Sequence, residues 1–126
     1  MANAARQDLS VRTKAYALRI VRLYVALPKT TVAQVIGKQL LRSGTSIGAH
    51  YREARRAKSD ADFISKIEGG LQELDETAYW MELLIEAEIT KNERLASLLK
   101  ETEELIAMFV TIVKKVKGKR RMKAEG

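Results

Sequence analysis

The sequence predicts an all-α fold, an antiparallel up-down bundle of four helices. One Pro in 126 residues leaves long stretches free of the residue that breaks helices. Four segments repeat their apolar residues at three- and four-residue steps, the spacing of one helix face. Short connections between them make successive helices antiparallel neighbours. No run alternates apolar and polar residues between turn signals as a strand would.

The first helix is expected from Ser10, a candidate N-cap, to Leu27, and Pro28 ends it. Ala17, Leu18, Ile20, Val21, Tyr24, Val25 and Leu27 cover more than half of its circumference, wider than contact with one core requires. A monomer would leave part of this arc in water, so the arc argues for self-association. The second helix begins at Thr30 or Thr31 and runs to about Ala57. Val32, Val35, Ile36, Leu40, Ile47 and Tyr51 hold its phase through the weak helix formers from Ser43 to Ala49. The segment therefore reads as one helix with a waist of small residues. Gly44 and Gly48 share a face there and admit another helix at close range.

The third helix is capped by Ser59, and Asp60 and Asp62 suit its positive N-terminal end. Its seam is Ile64, Ile67, Leu71, Leu74, Ala78, Met81 and Ile85, and it runs to about Glu88. Thr90-Lys91-Asn92-Glu93 reads as a capping box for the fourth helix. Leu98, Thr102, Leu105, Phe109, Ile112 and Val116 form its seam, and Gly118 is the expected stop. The chain thus divides into a flexible segment 1–9, a bundle domain 10–117 and a basic tail 118–126.

Composition excludes several function classes. With no Cys there is no disulfide scaffold, thiol nucleophile or thiolate zinc site. The one His, His50, has Ile47 rather than Glu three residues before it, so the Glu-x-x-His pair of di-metal bundles is missing. Glu73, Asp75 and Glu76 have no nucleophile or phosphate loop placed with them by any motif. The expectation is a protein that is not an enzyme and takes no cofactor or metal. The N-terminal MANAARQDLS lacks the apolar stretch of a secretory signal, and Arg19 and Arg22 interrupt the most apolar early run. A cytoplasmic protein without a membrane partner is expected.

The net charge is +7, unevenly placed. Residues 1–58 carry +10, residues 59–113 carry −9 and residues 114–126 carry +6. Packing of the first two blocks against each other neutralises part of this charge; the rest is available to a polyanion. Lys38, Arg42, Arg52 and Arg56 fall within an arc of about 80° on the second helix. With Arg12, Arg19 and Arg22 of the first helix they form a candidate basic wall. Lys114, Lys115, Lys117, Lys119, Arg120, Arg121 and Lys123 are seven of ten consecutive residues that include no acid. All of these are candidate nucleic-acid-binding residues, with solvated surface and ion pairing as the alternative. Glu73 and Glu76 are candidate partners for Arg42, Arg52 or Arg55, across the bundle or between subunits, in pairs that fix register more than they stabilise. Tyr79 and Trp80 read as packing anchors. No base-reading motif is present.

The stretch Leu41-Arg42-Ser43-Gly44-Thr45-Ser46-Ile47-Gly48-Ala49-His50-Tyr51-Arg52-Glu53-Ala54 resembles the bacterial 23S rRNA intervening-sequence protein family. So does Asp62-Phe63-Ile64-Ser65-Lys66-Ile67 with Glu73, Glu76, Tyr79 and Trp80. The resemblance spans residues 10–117. His50 stands where Asn is usual, and the tail beyond Gly118 is not part of the motif. The resemblance implies antiparallel four-helix bundles assembled as ring-like homopentamers. A distant relative of that fold is the basic pentameric accessory protein of diversity-generating retroelements, which engages nucleic acid and a reverse transcriptase. The resulting expectation is a non-enzymatic, oligomeric accessory protein that binds RNA or DNA. The alternative is a structural or protein-recruiting oligomer without nucleic acid.

Overall fold

In the computed structural model the chain forms α1 (Ala2–Ala26), α2 (Thr31–Arg55), α3 (Asp60–Glu86) and α4 (Asn92–Glu125). The structure describes residues 2–125, with side chains from Leu9 onward. Arg42 of α2 meets Glu76 of α3, Ser43 meets Thr77, and Glu53 meets Lys66, so the two helices are antiparallel. Arg12 reaches Glu101 and Arg19 reaches Ser97, which sets α1 antiparallel to α4 and closes the bundle.

The caps follow the sequence at two of the helix starts. Thr30 accepts a hydrogen bond from the Ala33 N–H, and Ser59 accepts one from the Asp62 N–H at 3.0 Å. Four boundaries differ from expectation. Ser10 does not cap α1, which begins at Ala2; Leu9 is buried in phase with Tyr16, Ile20 and Leu27, so the core already claims this turn. Of the expected flexible segment, Met1 lies outside the described residues. α4 begins at Asn92 with the Arg94 N–H bonded to the Lys91 carbonyl, so Lys91 rather than Thr90 flanks the helix. Gly118 does not stop α4. No glycine among the described residues has the left-handed φ that a C-terminal stop uses, and the good helix formers after Gly118 carry the helix to Glu125. Gly126 lies outside the described residues. α3, by contrast, ends early: Glu88 adopts φ 60° and the Ile89 N–H returns to the Leu84 carbonyl.

Every helix contributes to one core. α1 gives Tyr16 and Ile20, with Leu27 just after it; α2 gives Leu40, Ile47 and Tyr51; α4 gives Leu95, Leu98, Leu105 and Phe109. The seam of α3 is turned from the expected one. Gly70, Thr77 and Leu84 are buried, while Leu71, Ala78 and Ile85 are half-buried. Gly70 sits there because a Cβ would meet the Phe109 ring at 2.7 Å. Thr77 sits there because its hydroxyl bonds both Ser43 Oγ and the Glu73 carbonyl.

The waist of α2 is unbroken, and its glycines face α1. A Cβ on Gly44 would lie 2.7 Å from Ile20 Cγ1, while one on Gly48 would lie 3.3 Å from Thr13 Oγ1 and 3.7 Å from the Thr13 backbone. Gly44 is buried and Gly48 is half-buried. Overpacking costs about 1–3 kcal/mol, and Ala gains about 1 kcal/mol of helix propensity over Gly. Gly44→Ala is therefore expected to lower the denaturation midpoint, and Gly48→Ala to leave it equal or raise it. The reverse order would mean that the tight point of the waist is misplaced.

Tyr16 OH lies 2.6 Å from Thr102 Oγ1, whose own proton goes to the Leu98 carbonyl, so the phenol proton points at Thr102. Burial, partly opposed by this hydrogen bond, pushes the phenol up to about 12. The fold thus favours the neutral phenol. That stability is complete below pH 10 and is lost as pH rises through 12, by up to about 3 kcal/mol for a two-unit shift. Tyr16→Phe is expected to be the less stable protein at neutral pH, by about 1 kcal/mol for the lost hydrogen bond. Above pH 10 the gap should close and reverse in urea denaturation. A gap independent of pH would contradict the burial of this hydroxyl.

Candidate nucleic-acid interface

The structure divides the sequence-predicted basic residues into three groups. The first is committed to helix pairing. The Arg12 guanidinium holds Glu101 through Nε at 3.2 Å and Nη2 at 2.6 Å, with Glu104 at 3.8 Å and Met108 Sδ at 3.4 Å. Arg12 is thus a clamp between α1 and α4, not part of a phosphate-binding wall. Arg42 reaches Glu76 at 2.8 Å and Glu73 at 3.4 Å, and these carboxylates, Glu76 first, hold its guanidinium above the usual range. The exposed position of this pair limits its contribution to about 0–1 kcal/mol, so it marks α2–α3 register.

Arg52 and Arg55 do not join Glu73 and Glu76. They lie about three to four helical turns further along α2, level with the N-terminal half of α3 rather than with its middle. Arg55 donates instead to Ser10 Oγ at 2.8 Å.

The second group, Arg19, Arg22 and Lys38, lies on the sides of the bundle and with the two clamps does not form the expected continuous wall. Arg12 and Arg19 turn toward α4, whereas Arg42 turns toward α3. Exposed Val11, Leu18, Val21 and Val25 occupy the outward face of α1 beside Arg22. Lys38 is exposed on α2. The physical reason is that helix one carries its arginines and its surplus apolar residues on adjoining faces, so its outer surface is an apolar stripe interrupted by Lys14 and edged by Arg22.

The third group gathers at one end. In an up-down bundle the second and fourth helices run parallel, and Tyr51 of α2 meets Phe109 of α4 with ring centroids 6.0 Å apart. The end of α2 therefore lies beside the C-terminal part of α4, which continues past it to Glu125. Arg52, Arg55, Arg56 and Lys58 close α2, and Lys114, Lys115, Lys117, Lys119, Arg120, Arg121 and Lys123 close α4; all are exposed. Lys119 lines the same hollow as Arg55 and Lys58. Lys117 pairs with Glu68 at 3.3 Å. Among the described residues, none of the other ten has a carboxylate within 4.0 Å. Cations at helix C-termini also complement the negative end of the helix dipole. Arg55 and Lys58 join Lys119 here, a grouping the linear sequence does not display.

His50 and the aromatic pair have structural settings. The His50 imidazole covers Gly69, where a Cβ would meet Nδ1 at 2.9 Å, and Nδ1 is buried without a hydrogen-bond partner among the described residues. Trp80 is half-buried, and Tyr79, 53% exposed, stands edge-on to it at 5.0 Å. Among the described residues no group of three or more His, Asp or Glu is placed to hold a metal ion. No helix among them is long and apolar enough to cross a membrane.

Residues 7–111 match the family model described as 23S rRNA-intervening sequence protein. A solved structure from Bacteroides thetaiotaomicron VPI-5482, a protein of unknown function from the S23 ribosomal protein family, is 41% identical with a TM-score of 0.82. That likeness covers 86% of this chain and 97% of the other. No curated protein matches the chain. The family match ends before Lys114, so the cations that close α4 lie beyond it.

Proposed function

The chain belongs to the 23S rRNA-intervening sequence protein family, and from that premise we propose that it is a non-enzymatic, oligomeric accessory protein that binds nucleic acid through the basic end of its bundle. One observation carries the reading. The end of α2, the turn after it and the C-terminal part of α4 bring to one end of the bundle ten cations that have no carboxylate partner among the described residues. Such a surface binds phosphates without reading sequence, and its affinity falls steeply with salt.

Oligomerisation is supported by the outer face of α1. Val11 is 66% and Val25 65% exposed, with Leu18 and Val21 between them, a stripe that soluble monomers avoid. A symmetric ring of five copies would repeat the basic end five times, so weak phosphate contacts would add by avidity. Two of the arginines singled out in the sequence serve helix pairing: Glu73 and Glu76 hold Arg42, and Glu101, which the sequence did not mark, holds Arg12.

A second reading, recruitment of a protein instead of nucleic acid, is supported by exposed Tyr79, Val32 and Val35. Filter binding of an RNA and a DNA duplex across a salt series separates the two. The nucleic-acid reading expects a linear fall of log K with log salt, with a slope of several units. Absence of binding at low salt would favour the protein-recruiting oligomer.

A further inference from the structure

The basic end is hollowed where α2 passes into α3. The hollow has a volume of about 340 Å³, near the lower end of the roughly 300–1,000 Å³ typical of small-ligand sites. Its walls are of two kinds. Ala54, Ala57, Phe63 and Val116 are apolar; Arg55, Lys58 and Lys119 are cationic. The sequence explains the space. The last turn of α2 and the turn after it place the small residues Ala54 and Ala57 here, so no long side chain fills the gap between the ring of Phe63 and the end of the α4 seam.

We propose that this hollow seats one unpaired nucleotide of a single-stranded nucleic acid. The base lies on the apolar wall that includes Phe63, and the adjoining phosphates lie on Arg55, Lys58 and Lys119. The inference rests on the nucleic-acid reading of the basic end and adds a preference for single strands over duplex. A site for phosphate alone has no use for an apolar wall, and an ion-pairing surface has no use for a hollow. A base supplies a flat apolar face, and its backbone supplies the anions, which is the combination that single-strand binding surfaces use.

The Arg55 guanidinium is steadied by its bond to Ser10 Oγ, which leaves its remaining N–H groups for a phosphate. Lys58 and Lys119 have no carboxylate partner among the described residues. Asp60, the one acid in the lining, repels phosphate from its own edge and accepts N–H groups from a base edge. A paired and stacked base cannot enter, so a duplex touches only the cations.

The test is fluorescence anisotropy with a labelled single-stranded RNA of about ten nucleotides and a hairpin duplex of equal phosphate count, each over a salt series. The full chain is compared with Phe63→Leu, which keeps an apolar side chain but removes the aromatic face. A second variant, Ala57→Leu, fills the hollow from the other side and leaves Phe63 and every charge in place. The wild type is expected to bind the single strand more tightly than the duplex at each salt concentration. Both variants should lose about fivefold or more of single-strand affinity, with unchanged salt slopes and unchanged duplex binding, because stacking and not charge is removed. Wild-type affinity for single strands in both variants, or equal wild-type affinity for the two probes, would overturn the nucleotide site while leaving the basic end intact. No binding of either probe by the wild type would overturn the parent reading and this one with it.

Discussion

Removal of residues 118–126 is expected to weaken nucleic-acid binding and flatten its salt dependence while leaving the bundle folded. The deletion takes Lys119, Arg120, Arg121 and Lys123 from the basic end. Each phosphate contact contributes about 0.9 to the slope of log K against log salt on duplex DNA and about 0.7 on single strands. If all four cations contact phosphate, the slope falls by about 3.6 on duplex and 2.8 on single strands. The fold should survive because Val113 is the last buried residue of α4, and the Lys117–Glu68 pair precedes the cut. Helicity and oligomeric mass are the controls. Equal slopes and equal affinities for the two proteins would remove the end of α4 from the interface.

An effect of similar size is expected on assembly when the outer face of α1 is made polar. Val11, Leu18 and Val25 are spaced by seven residues and exposed, so they form a stripe down the helix on the side away from Tyr16 and Ile20. Burial of such side chains contributes about 25 cal/mol per Å² of apolar surface removed from water. Leu18→Glu with Val25→Glu would place two carboxylates in that contact, where a buried unpaired charge costs several kcal/mol. Light scattering is expected to change from a mass near five chains to a mass near one, with the far-ultraviolet helical signal retained. Retention of the oligomer by the double variant would move the interface to another face, and a monomeric parent would remove it. Because avidity multiplies weak contacts, the monomeric variant should also bind nucleic acid more weakly at equal chain concentration.

Much of this architecture was legible from periodicity. The four helices, the continuous waist of α2 and the Thr30 and Ser59 caps follow from the spacing of apolar residues and from residue types whose hydroxyls satisfy free N–H groups. The seam of α3 was legible only in part. Periodicity weights large apolar residues and so favours Leu71, Ala78 and Ile85. The packing favours Gly70, which makes room for Phe109, and Thr77, which bonds Ser43.

The same limit applies to charge. Arg12 looks like surface in a linear reading, because its partner Glu101 is 89 residues away and becomes a neighbour only when α1 and α4 meet. Glu73 and Glu76 were legible as partners of an α2 arginine because α2 and α3 are consecutive, but the choice of Arg42 over Arg52 and Arg55 needed the register that the structure supplies. The gathering of Arg55, Lys58 and Lys119 needed one further step, that alternate helices of an up-down bundle run parallel. Charge counts by sequence block separate these residues, whereas topology brings them together. Gly118 was misleading because glycine ends a helix only where a left-handed φ is adopted, and the residues after it favour helix.

The location of the interface is tested most directly by a lysine-modification footprint. Acetylation of each lysine is followed by mass spectrometry in the free protein and with saturating RNA at low salt. Lys58, Lys114, Lys115, Lys119 and Lys123 are expected to become protected. Lys29 in the turn after α1 and Lys91 in the turn after α3, both at the opposite end of the bundle, should react as in the free protein. Protection of Lys29 and Lys91, or protection spread equally over both ends, would contradict the account.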